Sequence, residues 1–251
     1  MKPKERGIPW FETAFGRLYP LVYAHRDDDS AFREIEGLTR LLHLSGSRLK
    51  TLDVCCGAGR HTEALEGLGL DVLGIDLSMV LLEKGASRPV LRGRVVQADM
   101  RALPFGTGFE LLTNLFTSFG YFSEDGDNEQ ALCEMARVLV PGGRLVLDHM
   151  NRPAVERGLV PEDSEERDGL KIRRTRKIEG KRVKKEIHVD IIAEGEHIHL
   201  QEDVRLYTPS EMQGLLEAAG LEDVRYYGDF DGGALTMESP RMIALAVKKG
   251  I

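Results

Sequence analysis

Residues 52–61 read Leu-Asp-Val-Cys-Cys-Gly-Ala-Gly-Arg-His, a loop of small residues between an apolar run from Leu49 and an amphipathic run from Arg60. The apolar run predicts a buried strand, and the amphipathic run predicts a helix. Small residues at such a junction let the backbone approach a ligand closely, and the first N–H groups of the helix remain free to bind it. This stretch therefore predicts a ligand-binding turn at the carboxyl end of a strand.

The following hundred or so residues alternate in the same way between apolar runs and amphipathic stretches. Helices are predicted over 60–68, 78–86 and 128–139, and further strands over 71–76, 94–99, 109–114 and 144–149. Ser78 is the expected N-cap of the second helix, and Pro141-Gly-Gly is expected to close the third. Strands separated by helices imply right-handed crossovers and a parallel sheet with its ligand at the carboxyl ends. The predicted fold class is α/β, a doubly wound, mostly parallel Rossmann-like sheet.

The flanking segments add N-terminal helices and an inserted antiparallel β meander. Residues 10–44 show helical spacing of apolar side chains, whereas alternation predicts three antiparallel strands over about 168–207. Thr208-Pro-Ser-Glu211 has the form of a capping box, Gly220 should end that helix, and strands over 224–227 and 242–247 should complete the sheet. We expect a single domain over 1–251, composed of a helical lid over about 1–48, a cofactor-binding core over about 49–151, the insertion over about 165–207 and a C-terminal part over about 208–251.

The amino-acid composition excludes several classes of protein. With 42% hydrophobic and 30% charged residues, the 251-residue chain can build a full core, which excludes disorder. No apolar window is long enough to span a membrane, and no hydrophobic region follows the charged N-terminus, so we expect neither a membrane partner nor a secretory signal. Three cysteines, an odd number, favour free thiols and a cytoplasmic location. They and the scattered histidines lack ligand spacing, so no metal is expected.

The net charge and its distribution along the chain indicate whether a nucleic acid is a plausible partner. The net charge of -7 argues against such a partner, yet residues 171–185 hold nine basic side chains and one acid. Such a ribbon could follow the phosphates of an RNA, or it could be a solvated hairpin face paired with nearby acids. We favour the second interpretation, because charged edge strands also prevent aggregation.

Polar side chains recur where the predicted strands end. Asp76 ends the second strand, Asp99 the third and Asn114 the fourth, so all three should lie at one edge of the sheet. An acidic group after the second strand can hold both hydroxyls of a ribose, and a carboxylate after the third can accept a hydrogen bond from an adenine amino group. Met100 could pack on the adenine ring.

At these residues the chain resembles the class I S-adenosylmethionine-dependent methyltransferases, over about Thr51 to Asn151. The resemblance implies a transferase that binds S-adenosyl-L-methionine. It departs at Cys55, where the family usually has a glycine. A dinucleotide enzyme is the rival, but its third glycine would fall at Thr62. The residues expected to bind the cofactor are Asp53, Cys55, Gly57, Gly59, Asp76, Leu77, Asp99, Met100 and Asn114, with Tyr19 and Tyr23 as a lid.

The acceptor should lie beyond the fourth strand. We expect the methyl group to pass to oxygen or nitrogen of a small molecule by in-line displacement, with His149 as candidate base and Asn151 as a second candidate catalytic residue. The expected substrate pocket comprises Phe116, Phe119, Tyr121 and Tyr207. Two alternatives remain open: an RNA (tRNA) methyltransferase using the basic ribbon, and a cofactor-binding protein without turnover. A homodimer through the insertion is a further expectation.

Overall fold

The computed structural model describes residues 9–24, 26–44 and 48–250. Its helices are α1 (Trp10–Ala14), α2 (Tyr19–Val22), α3 (Asp28–Leu41), α4 (Arg60–Gly67), α5 (Met79–Ala86), α6 (Asp125–Val138), α7 (Arg152–Gly158) and α8 (Pro209–Ala218). Its strands are β1 (Lys50–Val54), β2 (Asp71–Asp76), β3 (Val95–Gln97), β4 (Phe109–Asn114), β5 (Leu139–Met150), β6 (Glu162–Arg167), β7 (Leu170–Glu179), β8 (Arg182–Ile191), β9 (Glu196–Arg205), β10 (Leu221–Tyr227) and β11 (Arg241–Lys248).

The main sheet has seven strands in the order β10-β11-β5-β4-β1-β2-β3. Strands β1 to β5 pair in parallel, whereas β11 runs antiparallel between β5 and β10. The order reverses between β1 and β4, which is where an open α/β sheet forms a crevice at the carboxyl ends of its strands. The predicted fold class is confirmed.

Helices cover both faces of this sheet. Successive side chains of a strand point to opposite faces. Leu112 therefore packs with Met135 of α6 and Met212 of α8, whereas Leu111 packs with Ile35 of α3 in a second cluster. Burying each such side chain contributes on the order of 1.5–3 kcal/mol. The two clusters hold the strand ends in fixed positions relative to the helices above them.

The antiparallel insertion lies between β5 and α8, as predicted, but it has four strands and not three. Its order is β6-β7-β8-β9. The unpredicted strand β6 reads Glu-Asp-Ser-Glu-Glu-Arg, in which no apolar alternation is visible. Ile172, Ile187 and Val189 of the insertion pack on Leu18 and Val22 of the N-terminal segment. The insertion therefore holds the N-terminal helices against the core.

Local sequence signals predicted the starts of two helices correctly, whereas α6 begins at Asp125, three residues before its predicted start, and the signal expected to end it was wrong. Ser78 caps α5 by accepting from the Leu81 amide at 3.2 Å, and Thr208 forms the predicted capping box with Glu211. Pro141-Gly-Gly, however, does not close α6. The helix ends at Val138 and β5 begins at once, with Pro141-Gly-Gly inside the strand where its pairing with β4 shifts register.

Among the residues described, no helix is both long and apolar enough to cross a membrane.

Candidate functional site

The loop after β1 has an unusual backbone. Gly57 and Gly59 have φ angles of 56° and 78°, and Cys55 has a φ of 64°. This left-handed conformation favours glycine, because a Cβ atom crowds the backbone there. The backbone at Cys55 is therefore strained. Its sulfur lies 3.7 Å from the Met100 sulfur. Burial raises the pKa of the Cys55 thiol well above its usual value, so the thiol stays protonated.

Asp53 and Asp76 hold this loop from two sides. Asp53 is buried below it and accepts hydrogen bonds from Thr62 Oγ1 at 2.7 Å and Thr113 Oγ1 at 2.8 Å. Asp76 ends β2 and accepts from the Gly57 amide at 2.8 Å through one oxygen and the Ser78 amide at 2.8 Å through the other. Burial raises the pKa of Asp76 against these bonds. The carboxylate is thus fixed in position beside the loop.

Asp99 and Met100 follow β3 on the same edge. Arg101 donates to both Asp99 oxygens, at 2.6 Å from Nη2 and at 3.2 Å and 3.0 Å from Nε. Burial opposes ionisation of Asp99, but the hydrogen bonds from Arg101 outweigh it and lower the pKa. Asp99 therefore stays a carboxylate at neutral pH and can still accept a further hydrogen bond.

A first cavity of about 650 Å³ joins these groups. Its lining includes seven residues expected from the sequence to bind the cofactor, namely Tyr19, Cys55, Gly57, Asp76, Leu77, Asp99 and Met100. Tyr121 lines it as well, beside apolar side chains such as Phe11 and Phe122. Ser78 Oγ donates to the Phe15 carbonyl at 2.7 Å, which fastens the N-terminal segment over the cavity.

A second cavity of about 1260 Å³ adjoins the first, with which it shares Tyr19, Cys55 and Gly57. Asp53, Gly57 and Tyr23 line it, together with Arg26. The Arg26 guanidinium carbon lies 3.9 Å from the Tyr23 ring centre and 4.2 Å from that of Phe116. Arg26 forms no ion pair with any carboxylate of the described residues, and its buried Nε has no hydrogen-bond partner there. Its Nη1 donates to the Tyr19 hydroxyl at 2.5 Å. Arg26 is thus hydrogen-bonded, but no carboxylate of the described residues lies within ion-pair distance of it.

A third cavity of about 560 Å³ adjoins the first two. Phe15, Tyr19 and Tyr121 line both the first and the third cavity. Tyr121 stacks on Phe15 with ring centres 5.5 Å apart. Among the described residues that line the third cavity, Glu202 of β9 is the one carboxylate. This cavity thus has aromatic walls, one acidic group and two guanidinium groups, those of Arg26 and Arg241.

Several residues expected from the sequence do not reach these cavities. Phe119 and Tyr207 are buried in the core with ring centres 5.5 Å apart, and the His149 ring lies beside Tyr207 at 5.7 Å. Both His149 nitrogens lack a partner among the described residues, and burial lowers its pKa to about 4. Its position does not favour the predicted role of base.

Three other expected residues have structural contacts outside the cavity walls. Asn151 donates to the carbonyls of Thr236 at 2.9 Å and Ser239 at 2.7 Å, which ties the turn before β11 to the end of β5. Asn114 donates to the Val54 carbonyl at 3.1 Å behind the loop. Gly59 is the N-cap of α4, where a Cβ atom would come within 2.2 Å of Leu91. Each of them supports the site from behind.

The basic ribbon of residues 171–185 is neutralised within the chain. Each of its nine basic side chains lies within ion-pair distance of an acid. Arg174, for example, pairs with Asp163 at 2.9 Å and with Glu165 at 2.7 Å, both on the neighbouring strand β6. The pattern agrees with a paired hairpin face and leaves little free positive charge for phosphates.

Sequence reasoning missed Arg26, Glu202 and Arg241 among the cavity-lining residues. Arg26 lies in a short connection with no motif, and Glu202 lies in a polar strand that reads as surface. Arg241 lies at the start of the last strand, far along the chain from the other residues of the site. Only the packing of the N-terminal helices between the insertion and the core brings these side chains together.

Comparison with known proteins agrees with this geometry. A family model described as a methyltransferase domain matches residues 51–143. The chain is 29% identical to a dTDP-3-amino-3,4,6-trideoxy-alpha-D-glucopyranose N,N-dimethyltransferase of Streptomyces venezuelae, over 92% of this chain and 99% of that protein.

Solved structures extend the likeness to the whole fold. A sugar N-methyltransferase from a Streptoalloteichus species superposes with a TM-score of 0.73 at 26% identity, covering 94% of each chain. An S-adenosylmethionine-dependent methyltransferase from Clostridium acetobutylicum superposes with a TM-score of 0.79 at 18% identity, covering 93% of this chain and 96% of that one. The second likeness bears on the fold alone.

Proposed function

We propose, since this chain belongs to the class I S-adenosylmethionine-dependent methyltransferases, that it methylates the amine nitrogen of a small, sugar-like acceptor. The observation that carries the proposal is the third cavity, which shares Phe15, Tyr19 and Tyr121 with the first and contains Glu202. Its aromatic walls and the Glu202 carboxylate suit a basic nitrogen, since Arg241 is paired with Asp148 and Arg26 would be paired with the cofactor's carboxylate. Full-length similarity to a dimethyltransferase of an amino sugar supports the choice of nitrogen over oxygen.

The described residues fit the cofactor. In the first cavity Asp76 would hold the ribose and Asp99 the adenine amino group, with Met100 against the ring. The methionine portion would extend past Gly57 into the second cavity, where the unpaired Arg26 would take its carboxylate. Arg26 is half-buried, and a partly desolvated cation without a nearby anion is only partly compensated. Filling the second cavity with a carboxylate would complete that compensation.

Methyl transfer needs orientation and exclusion of water. When bound, S-adenosylmethionine supplies a methyl group already activated by a sulfonium. Phe15, Tyr19 and Tyr121 would enclose the point where the cavities meet, since each lines both. Their ring faces favour a positive charge, and these half-buried rings restrict the access of water. Positioning of this kind supplies on the order of 7–11 kcal/mol for well-oriented reactants.

The test measures transfer of a labelled methyl group from S-adenosylmethionine to dTDP-3-amino-3,4,6-trideoxy-alpha-D-glucopyranose, the acceptor in the relative's name. The control acceptor is the corresponding sugar nucleotide with a hydroxyl in place of the 3-amino group. We expect label in the first product alone. Label in the hydroxy compound alone would assign the transfer to oxygen. No label in either would exclude this acceptor class, and a metabolite extract would then be screened by mass spectrometry.

The RNA alternative is not favoured, because the basic ribbon is paired throughout with acids. Binding of total tRNA that falls steeply with salt would restore it. The homodimer stays a proposal. The edge strands of the insertion are β6 and β9. The row of acidic side chains on β6 opposes pairing of this strand with a second copy of itself.

A further inference from the structure

Glu202 reaches the third cavity from the antiparallel insertion. It lies on β9 directly opposite Lys185 of β8. Its side chain is 20% exposed and that of Lys185 is 13% exposed. The Tyr23 hydroxyl donates to one Glu202 oxygen, and the Lys185 ammonium donates to the same hydroxyl. Glu202, Tyr23 and Lys185 thus form a compact cluster, of which Glu202 and Tyr23 line the cavity.

The ion pair with Lys185 leaves hydrogen-bond acceptor positions of the Glu202 carboxylate free. The Lys185 nitrogen lies 3.6 Å from the second Glu202 oxygen, whereas a charge-assisted hydrogen bond measures about 2.7–2.9 Å. Lys185 instead donates a hydrogen bond to the Tyr23 hydroxyl. An ionised carboxyl group has about four acceptor positions. The second oxygen therefore keeps positions for a donor inside the cavity.

We propose that Glu202 binds the ammonium group of the acceptor and takes up its proton before transfer. The inference rests on the proposed function, because it requires an amine. An ammonium has no lone pair and cannot attack. Its proton would pass to the Glu202 carboxylate, which leaves a neutral amine and a carboxylic acid. The nitrogen then forms a bond to the methyl carbon, the carbon–sulfur bond breaks, and its electron pair stays on sulfur.

The neighbouring charges make the cluster sensitive to pH. Burial lowers the pKa of Lys185 to about 8. Above that pH Lys185 loses its positive charge, and the cluster holds a cation more strongly. The groups that surround Glu202 or Lys185 are Tyr19 and Tyr23 of the N-terminal segment, Arg26 beyond α2, Tyr121 after β4, and Arg174 and Arg176 of β7. Arg241 of β11 lines the same cavity as Glu202. Arg26 is the nearby cation that the cofactor's carboxylate would neutralise.

A binding experiment tests Glu202 without an acceptor. Sinefungin carries an amine on the carbon that replaces the sulfonium, so its ammonium occupies the position of the transferred methyl group. S-adenosylhomocysteine has no such group. By calorimetry we expect Glu202→Gln to lower the affinity for sinefungin about tenfold relative to that for S-adenosylhomocysteine. The control is Glu196→Gln on the same strand, whose side chain is 42% exposed and pairs with Arg17; its ratio should stay that of the parent.

An unchanged ratio in Glu202→Gln would overturn the proposal. Since this variant leaves Lys185 without its carboxylate partner, the double variant Lys185→Met, Glu202→Gln removes both charges and should show the same loss. If both variants fold and keep the parent ratio, the carboxylate does not act at the methyl position.

Turnover supplies the second measurement, with the amino sugar nucleotide as probe. Glu202→Gln should lower kcat at pH 7 by about a hundredfold, and kcat should recover as the pH approaches the pKa of the acceptor amine. A pH profile identical to that of the parent would overturn proton transfer to Glu202. If the parent protein methylates nothing in this assay, the acceptor proposal fails, while the sinefungin ratio still decides the role of Glu202.

Discussion

The Arg241 guanidinium and the Asp148 carboxylate form an ion pair with two hydrogen bonds behind the turn that carries Phe116. Arg241 Nε donates to Asp148 at 2.6 Å, and the Phe116 amide donates to the same carboxylate at 2.8 Å. Phe116 and Thr117 have φ angles of 63° and 59°. Strained backbone of this kind persists only where its surroundings hold it. The pair therefore shapes a wall shared by the second and third cavities.

We expect Asp148→Ala to destabilise the protein by about 3–5 kcal/mol, because Asp148 is fully buried and its loss leaves Arg241 without compensation. Removing both partners should cost clearly less than the sum of the two single variants. Urea unfolding of Asp148→Ala, Arg241→Ala and the double variant measures this coupling. Additive free energies of unfolding would show that the two groups act independently.

Asp76→Ala should weaken S-adenosylmethionine binding by on the order of 2–3 kcal/mol, since it removes the carboxylate expected to hold the ribose. It also removes the acceptor of the Gly57 amide, which positions the loop. The measurement is calorimetric titration. Asp71→Ala, at the exposed start of the same strand, is the matched control and should keep the parent affinity. If Asp76→Ala binds as tightly as the parent, Asp76 has no place in the site.

Arg26→Gln should weaken binding of S-adenosylhomocysteine by about 1.5–3 kcal/mol and leave binding of 5′-methylthioadenosine unchanged. The second ligand lacks the amino acid portion, so it cannot use a cation in the second cavity. Calorimetry with both ligands separates this role from a general disturbance of the lid. Equal losses for both would mean that Arg26 supports Tyr23 and Phe116 by stacking and does not bind the carboxylate.

Cys55→Val should destabilise the protein by about 1–3 kcal/mol, because a β-branched side chain tolerates the φ of 64° poorly. Cys55→Gly relaxes the backbone but adds freedom to the unfolded chain, so we expect its free energy of unfolding to lie within about 1 kcal/mol of the parent value. Cys133→Val, at an exposed cysteine of α6, is the control for the change in side-chain type. If Cys55→Val proves as stable as the parent in urea unfolding, the loop can change its backbone.

Periodicity and caps predicted the elements well where each signal is local. β2 and β4 have the predicted bounds, and Ser78 and Thr208 cap the predicted helices. The missed strand β6 carries almost no apolar side chain, so its pairing with β7 leaves no trace in hydropathy.

In the candidate site, too, only the features that follow from local sequence patterns were predictable. The first cavity was predictable, because strands that end at one edge of a parallel sheet bring Asp76 and Asp99 together. The third cavity was not. Glu202 and Tyr23 are 179 residues apart and meet only because the insertion packs on the N-terminal helices. Aromatic residues after β4 predicted a pocket, but which of them face it depends on a turn with two residues of positive φ.

His149 should make stability depend on pH without acting as a base. Burial lowers its pKa to about 4, below the unfolded value of 6.5, so the unfolded chain binds more protons between these values. The stability it contributes is present above pH 6.5 and is lost as the pH falls toward 4. One proton corresponds to about 1.4 kcal/mol per pH unit. Between pH 6.5 and 5, urea unfolding should show the parent losing up to about 2 kcal/mol more than His149→Phe. Equal losses would mean that folding does not lower the pKa of His149. If the pH–rate profile of His149→Phe differs from that of the parent after correction for the fraction unfolded, His149 takes part in the reaction.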